Sequence, residues 1–350
     1  MVREIVVGGD ELGMSAHAGD PGVQAQAGPG EIRPADGEGR PEALQRHPAL
    51  SHLFGQKKLL DRLQRLADGC AAAGRPMPPI LLVGPSGGGK TEVARAVSGL
   101  LGVESRYLNS NKSVSLTGLL DMLAGMQPLD VAIFDEVDKL RNDCQVAMLS
   151  ILENRPVNRP PQTGRHREPE RAVDLPPLSF VATTTRPGKM LCDLLNRFMV
   201  LEVEPYGSGD LAAMCLRVAE SEGKVLEQDG AELLSGSCFG VPREVRKRTQ
   251  ELCITCEKQM MTRADVVAFL HERGIHHEGW TALHYKLLGL IKGGASKARI
   301  YSQAGLDPVL VESYEAQLVK AGLIEIQPAH GRVLTANGRI TLMLLKRLFR

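Results

Sequence analysis

Gly84-Pro85-Ser86-Gly87-Gly88-Gly89-Lys90-Thr91 follows the apolar run Ile80-Leu81-Leu82-Val83 and precedes the helix-like Glu92-Val93-Ala94-Arg95-Ala96-Val97. A strand, a glycine loop and a helix start in this order make a phosphate-binding loop. Glycines let successive backbone N–H groups converge on one anion, and the helix N-terminus behind them adds partial positive charge. Lys90 is placed to reach the outer phosphates, and the Thr91 hydroxyl to ligate Mg²⁺. Gly84, Gly87, Gly88, Gly89, Lys90 and Thr91 are therefore the nucleotide-binding candidates, with a nucleoside triphosphate and Mg²⁺ as the expected ligands.

A phosphate loop alone does not imply hydrolysis; a second acidic element decides. Val131-Ala132-Ile133-Phe134 is an apolar strand that runs into Asp135-Glu136. Such a strand end places Asp135 near Mg²⁺ and leaves Glu136 to orient and deprotonate an attacking water. Leu178–Ala182 reads as a third buried strand entering Thr183-Thr184-Thr185-Arg186, where a hydroxyl can sense a terminal phosphate. Asn196-Arg197-Phe198 offers an arginine of the kind that completes a neighbouring subunit's site. Pro242-Arg243 starts a helix whose arginine can reach back to the phosphates.

The 350-residue chain, with a formal net charge of +1, is long enough for two or three domains. No stretch approaches the ~20 apolar residues of a membrane span, and the N-terminus is too short and acidic for a signal peptide, so a cytoplasmic location without membrane contact is expected. Seven scattered cysteines do not resemble a disulfide framework. Cys253 and Cys256, followed by His271 and His276, come near a zinc spacing. A separation of three in a helical stretch instead puts both cysteines on one buried face.

Residues 1–45 are rich in Gly, Pro, Ala and charge, without period, and are expected to form a disordered tail. Residues 46–206 alternate strands with helices such as Leu116–Met126 and Cys144–Glu153, the pattern of an α/β fold with a parallel sheet flanked by helices. Residues 207–273 carry helical periodicity and are expected to form a small all-α lid. In residues 274–350, helices at Ala298–Ala304 and Pro308–Ala321 precede a hairpin around His330-Gly331, which suggests a winged helix. From Trp280 onward that last unit is basic, with Lys286, Lys292, Lys297, Arg299, Lys320, Arg332, Arg339, Lys346, Arg347 and Arg350 against Asp307, Glu312, Glu315 and Glu325. Basic charge on a winged helix suits DNA phosphates, with Arg332 at the wing tip as the foremost contact and Arg339 behind it.

These pieces in this order resemble the AAA+ ATPases, and within them the RuvB family of Holliday junction branch-migration motors. The resemblance covers about residues 46–350. It rests on Leu53-Phe54-Gly55-Gln56, Gly84–Thr91, Asp135-Glu136, Asp174-Leu175-Pro176-Pro177 with Thr184-Thr185-Arg186, Asn196-Arg197-Phe198, Pro242-Arg243, and Tyr314 through Gly322-Leu323 with Gly331-Arg332. It implies that Thr185 is sensor 1, Arg197 the arginine finger and Arg243 sensor 2, and that Leu53, Phe54 and Gly55 lie beside the adenine. It further implies a homo-oligomeric ring, a hexamer, that hydrolyses ATP and works on branched or double-stranded DNA in recombination and repair.

The chain departs from the family at four places. Ser86 and Gly88 stand where relatives have Pro and Leu, Asp138 follows Asp135-Glu136-Val137 where they have His, and Leu195 replaces the first of two finger-motif arginines. Arg155–Arg167 carries prolines and charge where RuvB has an apolar hairpin that docks on RuvA, so the standard RuvA contact is not expected. Two other classes fit the loop and acid pair less well. A protein remodeller would need a pore loop that Ser105–Gly118 lacks, and an ATP-binding scaffold without turnover would not need Lys90, Asp135, Glu136 and Arg197 together; a clamp-loader-like ATPase is kept beside the remodeller as an alternative.

Overall fold

The computed structural model describes residues 47–110, 113–159, 172–328 and 330–348. The expected tail, residues 1–45, lies outside the described residues, as do residues 160–171.

After a single 3-10 turn the chain runs through α1 (Lys57–Ala72), β1 (Ile80–Val83), α2 (Lys90–Leu101), β2 (Ser105–Asn109), α3 (Leu116–Ala124), β3 (Val131–Asp135) and α4 (Asn142–Leu152). It continues with β4 (Val157–Asn158), β5 (Ala172–Val173), β6 (Ser179–Thr184), α5 (Cys192–Leu195) and β7 (Met199–Glu202). A five-stranded sheet has the order β2-β3-β6-β1-β7, and every neighbouring pair is parallel. Val83 pairs with Thr184, and Phe134 with Ala182. The carboxyl ends of β1, β6 and β3 therefore finish on one edge, where open α/β sheets bind ligands.

Alternation along each strand builds two cores. Ile80, Leu82, Val131, Ile133 and Val181 face one way and pack with α1 and α2. Leu81, Ala132, Phe134, Phe180 and Ala182 face the other way, against residues of α3, α4 and α5. Phe134 and Phe180 stack with ring centroids 6.3 Å apart. The three strands expected from apolar runs are the sheet's interior. The edge strand β2 carries no such run, because it has one open side: Ser105, Arg106, Tyr107 and Asn109 are exposed. The other edge strand, β7, lies in the apolar stretch Phe198-Met199-Val200-Leu201.

The lid comprises α6 (Ser208–Ser221), β8 (Val225–Leu226), α7 (Gln228–Gly236), α8 (Pro242–Thr255), β9 (Met260–Met261) and α9 (Arg263–Glu272). Its expected all-helical character is corrected by the two-residue parallel pair β8–β9, which gives partners to backbone groups between the helices. Cys253 is buried in the lid core and Cys256 packs on it.

The last unit comprises α10 (Ala282–Ile291), α11 (Lys297–Ala304), α12 (Pro308–Lys320), β10 (Ile324–Gln327), β11 (Gly331–Leu334) and α13 (Ala336–Leu348). β10 and β11 form the antiparallel wing. The terminal helix α13 was not expected, since Gly338 interrupts its pattern. That glycine is required: a Cβ there would stand 1.9 Å from the Leu323 carbonyl oxygen.

Phe239, just ahead of α8, packs edge-on to Trp280 and against His284, at 5.0 and 5.2 Å between centroids. His284 is buried. Its Nδ1 accepts from the Thr281 backbone N–H at 3.1 Å, and its Nε2–H donates to Gln317 Oε1 at 2.9 Å. Burial pushes its pKa down to about 4, so the folded ring is neutral. The unfolded chain takes up this proton near pH ~6.5. Stability from His284 is therefore complete above that value and falls as the pH drops toward about 4, at ~1.4 kcal/mol per pH unit. Thermal unfolding between pH 7 and 4 is expected to show this limb in the native chain and to lose it in His284→Gln; superimposable profiles would contradict the assignment.

Candidate active site

The turn from β1 into α2 needs left-handed backbone, which Gly87 (φ 72°) and Gly89 (φ 85°) supply. Both are also hemmed in from across the site. A Cβ on Gly87 would lie 2.9 Å from Val241, and one on Gly89 would lie 2.9 Å from Tyr206 Oη. Gly84 is needed for a different reason. The place of its Cβ is filled by the Val203 carbonyl of the chain leaving β7, and its own carbonyl accepts from Lys90 Nζ at 3.0 Å. Lys90 Nζ also donates to the Pro85 carbonyl at 2.9 Å. The side chain is buried, and desolvation lowers its pKa against the opposing pull of Asp135 and Glu136.

Asp135 ends β3 facing the loop. Thr91 Oγ1 donates to its Oδ1 at 3.0 Å, Thr183 Oγ1 donates to the same oxygen, and Tyr107 Oη donates to Oδ2 at 2.6 Å. These hydroxyl bonds outweigh desolvation, the largest single influence, and hold the Asp135 carboxyl below the usual range. The group is thus an anion set beside a hydroxyl, an all-oxygen donor pair of the kind Mg²⁺ takes. Glu136 adopts the left-handed conformation (φ 54°). Its N–H donates to Thr183 Oγ1 at 3.2 Å, and its carboxylate pairs with Lys139.

Loop, acid pair and lid surround one cavity of about 820 Å³. Gly87, Gly88, Gly89, Lys90, Thr91, Asp135, Glu136, Thr185, Leu53, Phe54, Pro242 and Arg243 all line it, so the structure brings together most residues singled out from the sequence. Gly84 lies behind the loop. Thr185 lines the wall as an exposed residue, whereas the buried Thr183 makes the bonds to Asp135 and Glu136.

Sequence reasoning missed Tyr107, Tyr206, Arg217 and Arg246, and within the threonine run the resemblance pointed to Thr185 rather than Thr183. Tyr206 is a lone aromatic in the linker after β7. Arg217, on α6, sits 5.2 Å over the Phe54 ring and donates to the Ser51 carbonyl at 2.7 Å. Arg246 lies one helical turn from Arg243, and that spacing was the available signal.

Arg197 does not line this cavity. It follows α5, its side chain is 50% exposed, and it pairs with Glu153 at the end of α4. Its guanidinium is on the surface, away from its own phosphate loop.

A family model described as the Holliday junction DNA helicase RuvB P-loop domain matches residues 45–203. The chain is 28% identical over 311 residues to the Holliday junction branch migration complex subunit RuvB of Synechococcus sp. (strain CC9902), covering 86% of this chain and 89% of that protein. It is 28% identical over 304 residues to the protein of that name from Staphylococcus saprophyticus, covering 84% and 90%. The chain is similar to these RuvB proteins over most of its length. In fold it is similar to the Thermotoga maritima RuvB Holliday junction branch migration motor, with a TM-score of 0.70 at 22% identity over 83% of this chain and 95% of that one.

One of the chain's departures from the RuvB pattern forms a contact. Asp138, whose side chain is 1% exposed, accepts from Thr184 Oγ1 at 2.7 Å and from Arg186 Nη2 at 3.0 Å. This ties the turn after the acid pair to the threonine segment. At the expected docking hairpin, β4 and β5 pair antiparallel, and Arg159 bonds to Asp121.

One expectation is corrected. Arg332 is the second residue of β11, not the free tip of the wing. Its Nε and Nη2 donate to Glu315 Oε1 at 3.0 and 2.8 Å, with side-chain exposures of 14% and 11%. A guanidinium spent on a buried carboxylate is not available to a phosphate. Lys286, Lys297 and Lys320 are likewise engaged within the unit or with the lid. Arg339, Lys292 and Arg299 are exposed. Arg332→Ala is expected to cost about 3 to 5 kcal/mol of stability by stranding Glu315, and to leave the salt dependence of duplex binding unchanged. Thermal unfolding with salt-titrated DNA binding checks this; a salt slope reduced by about one without loss of stability would restore the wing-contact reading.

Proposed function

We propose that this chain is an ATP-hydrolysing motor of the RuvB type, acting as a homo-oligomeric ring on branched DNA in recombination and repair. The observation that carries the reading is the meeting, in one cavity, of the buried Lys90, the Thr91–Asp135 pair, the Glu136 carboxylate and Arg243 from the lid.

The roles follow from charge and position. Backbone N–H groups of the glycine loop and the start of α2 hold phosphate oxygens. Lys90, already desolvated, exchanges weak carbonyl partners for the outer phosphates. Thr91 and Asp135 would hold Mg²⁺, which when bound supplies positive charge against the phosphate oxygens. Glu136 takes the proton of the attacking water, and for that it releases Lys139. Thr183 and Thr185 lie where the terminal phosphate and the water are sensed. Arg243 reaches the phosphates from the lid, while Leu53, Phe54 and Arg217 shape the end of the cavity suited to a base.

Arg197 is the residue that makes the ring part of the mechanism. That Arg197 is half exposed and outside its own cavity supports a role at an adjoining copy's phosphates, which requires exchange of the Glu153 pair for the anion of the neighbour. A hexamer is the size drawn from the RuvB pattern. The exposed Arg339, with Lys292 and Arg299, is the proposed DNA-contacting set, giving affinity for backbone phosphates rather than base sequence. Proline and charge in Arg155–Arg167, in place of an apolar hairpin, speak against docking of a RuvA-like partner in the standard way. The absence of a long apolar helix among the described residues is compatible with the cytoplasm as its place of action.

Measuring ATP turnover with and without four-way junction DNA tests the function. Junction stimulation is expected, and turnover that responds only to protein partners would favour a remodeller. Glu136→Gln should retain ATP while losing turnover by about 100-fold or more; near-native turnover in that variant would remove Glu136 from its role.

A further inference from the structure

Asp135 has a partner that neither its sequence motif nor the ATPase roles assigned above account for. The two threonine hydroxyls bond to Oδ1, whereas Tyr107 Oη donates to Oδ2 at 2.6 Å. In the β2–β3 register Asn109 stands opposite Asp135 and Tyr107 opposite Ile133. The tyrosine therefore reaches along the strand to the carboxylate.

Tyr107 is 40% exposed on an edge strand, so it is not held there by core packing. Its ring is covered by Arg95, with the guanidinium carbon 5.0 Å from the centroid. Arg95 belongs to α2, the same helix that presents Lys90 and Thr91. The ring is thus clamped between the helix that carries Thr91 and the strand beside Asp135. A phenol hydroxyl is a hydrogen-bond donor at physiological pH.

A carboxylate bonded through one oxygen still turns about its Cβ–Cγ bond, and bonding through both oxygens stops that rotation. We propose that Tyr107 is a positioning residue for the metal-holding carboxylate: its hydroxyl pins Oδ2 and keeps Oδ1 turned toward Thr91, where Mg²⁺ enters with the nucleotide. The inference rests on the ATP-motor reading above. It places the effect of Tyr107 on metal dependence, since the residue touches neither the base end of the cavity nor the phosphate loop's amides.

Tyr107→Phe keeps the ring and its Arg95 contact and removes only the hydroxyl. Binding of a fluorescent ATP analogue to the full chain is measured across a Mg²⁺ titration and again in EDTA. The half-saturating Mg²⁺ concentration is expected to rise about tenfold, as for loss of a partner behind a metal ligand, with binding in EDTA unchanged. Coincident Mg²⁺ curves for native chain and variant would overturn the proposal. So would an equal loss of binding with and without Mg²⁺, because that makes the hydroxyl merely structural. If the native chain itself binds the analogue without any response to Mg²⁺, the ATP-motor reading falls, an outcome distinct from failure of the Tyr107 assignment alone.

Discussion

A buried ammonium must be held, and in this chain Lys90 is held by the carbonyls of its own loop, with Asp135 and Glu136 across from it. Desolvating a cation is costly unless anions or dipoles replace water. Here the compensation comes from three strand ends that the parallel sheet brings to one edge. β1 supplies the loop, β3 the carboxylates and β6 the threonines that orient them. A shift of any one strand would separate Lys90 from its counter-charges, so the packing of both sheet faces is also what sets the electrostatics of the site.

The site is closed from the far side by the lid, and the lid is tied to the last unit. Phe239 and Gly240, both with positive φ, immediately precede Val241, Pro242 and Arg243. The Phe239 carbonyl accepts from Lys320 of α12 at 2.8 Å. The segment that brings Arg243 to the phosphate cavity is therefore fixed at its other end by the winged unit proposed to meet DNA. Arg217 makes the complementary link by joining α6 to the segment around Ser51 and Phe54.

What could be read from the sequence followed from contiguity. Ile80–Val83 and Val131–Phe134 are buried on both faces, so they stand out as apolar runs, and Lys90, Thr91, Asp135 and Glu136 sit directly at their ends. β2 escaped because, at the edge of the sheet, only its Leu108 is even partly buried. Tyr107, Tyr206 and Arg217 escaped for another reason: their relevance exists only after tertiary pairing puts them beside residues distant in sequence. Arg332 was misread by the same blindness, since counting charges cannot reveal that Glu315 on another element has already neutralised it. Arg197 was legible only as an arginine in a motif; its exposure and its place outside its own cavity required the fold.

The central claim is that one chain's Lys90 and another chain's Arg197 act on the same triphosphate. Mixing Lys90→Ala chains with Arg197→Ala chains tests it most directly, with ATP turnover measured alongside a size measurement that verifies mixed assemblies. Each variant alone is inactive on this account, and mixing regenerates some interfaces that contain both side chains, so turnover returns. Mixed rings that form and stay inactive would contradict the shared site.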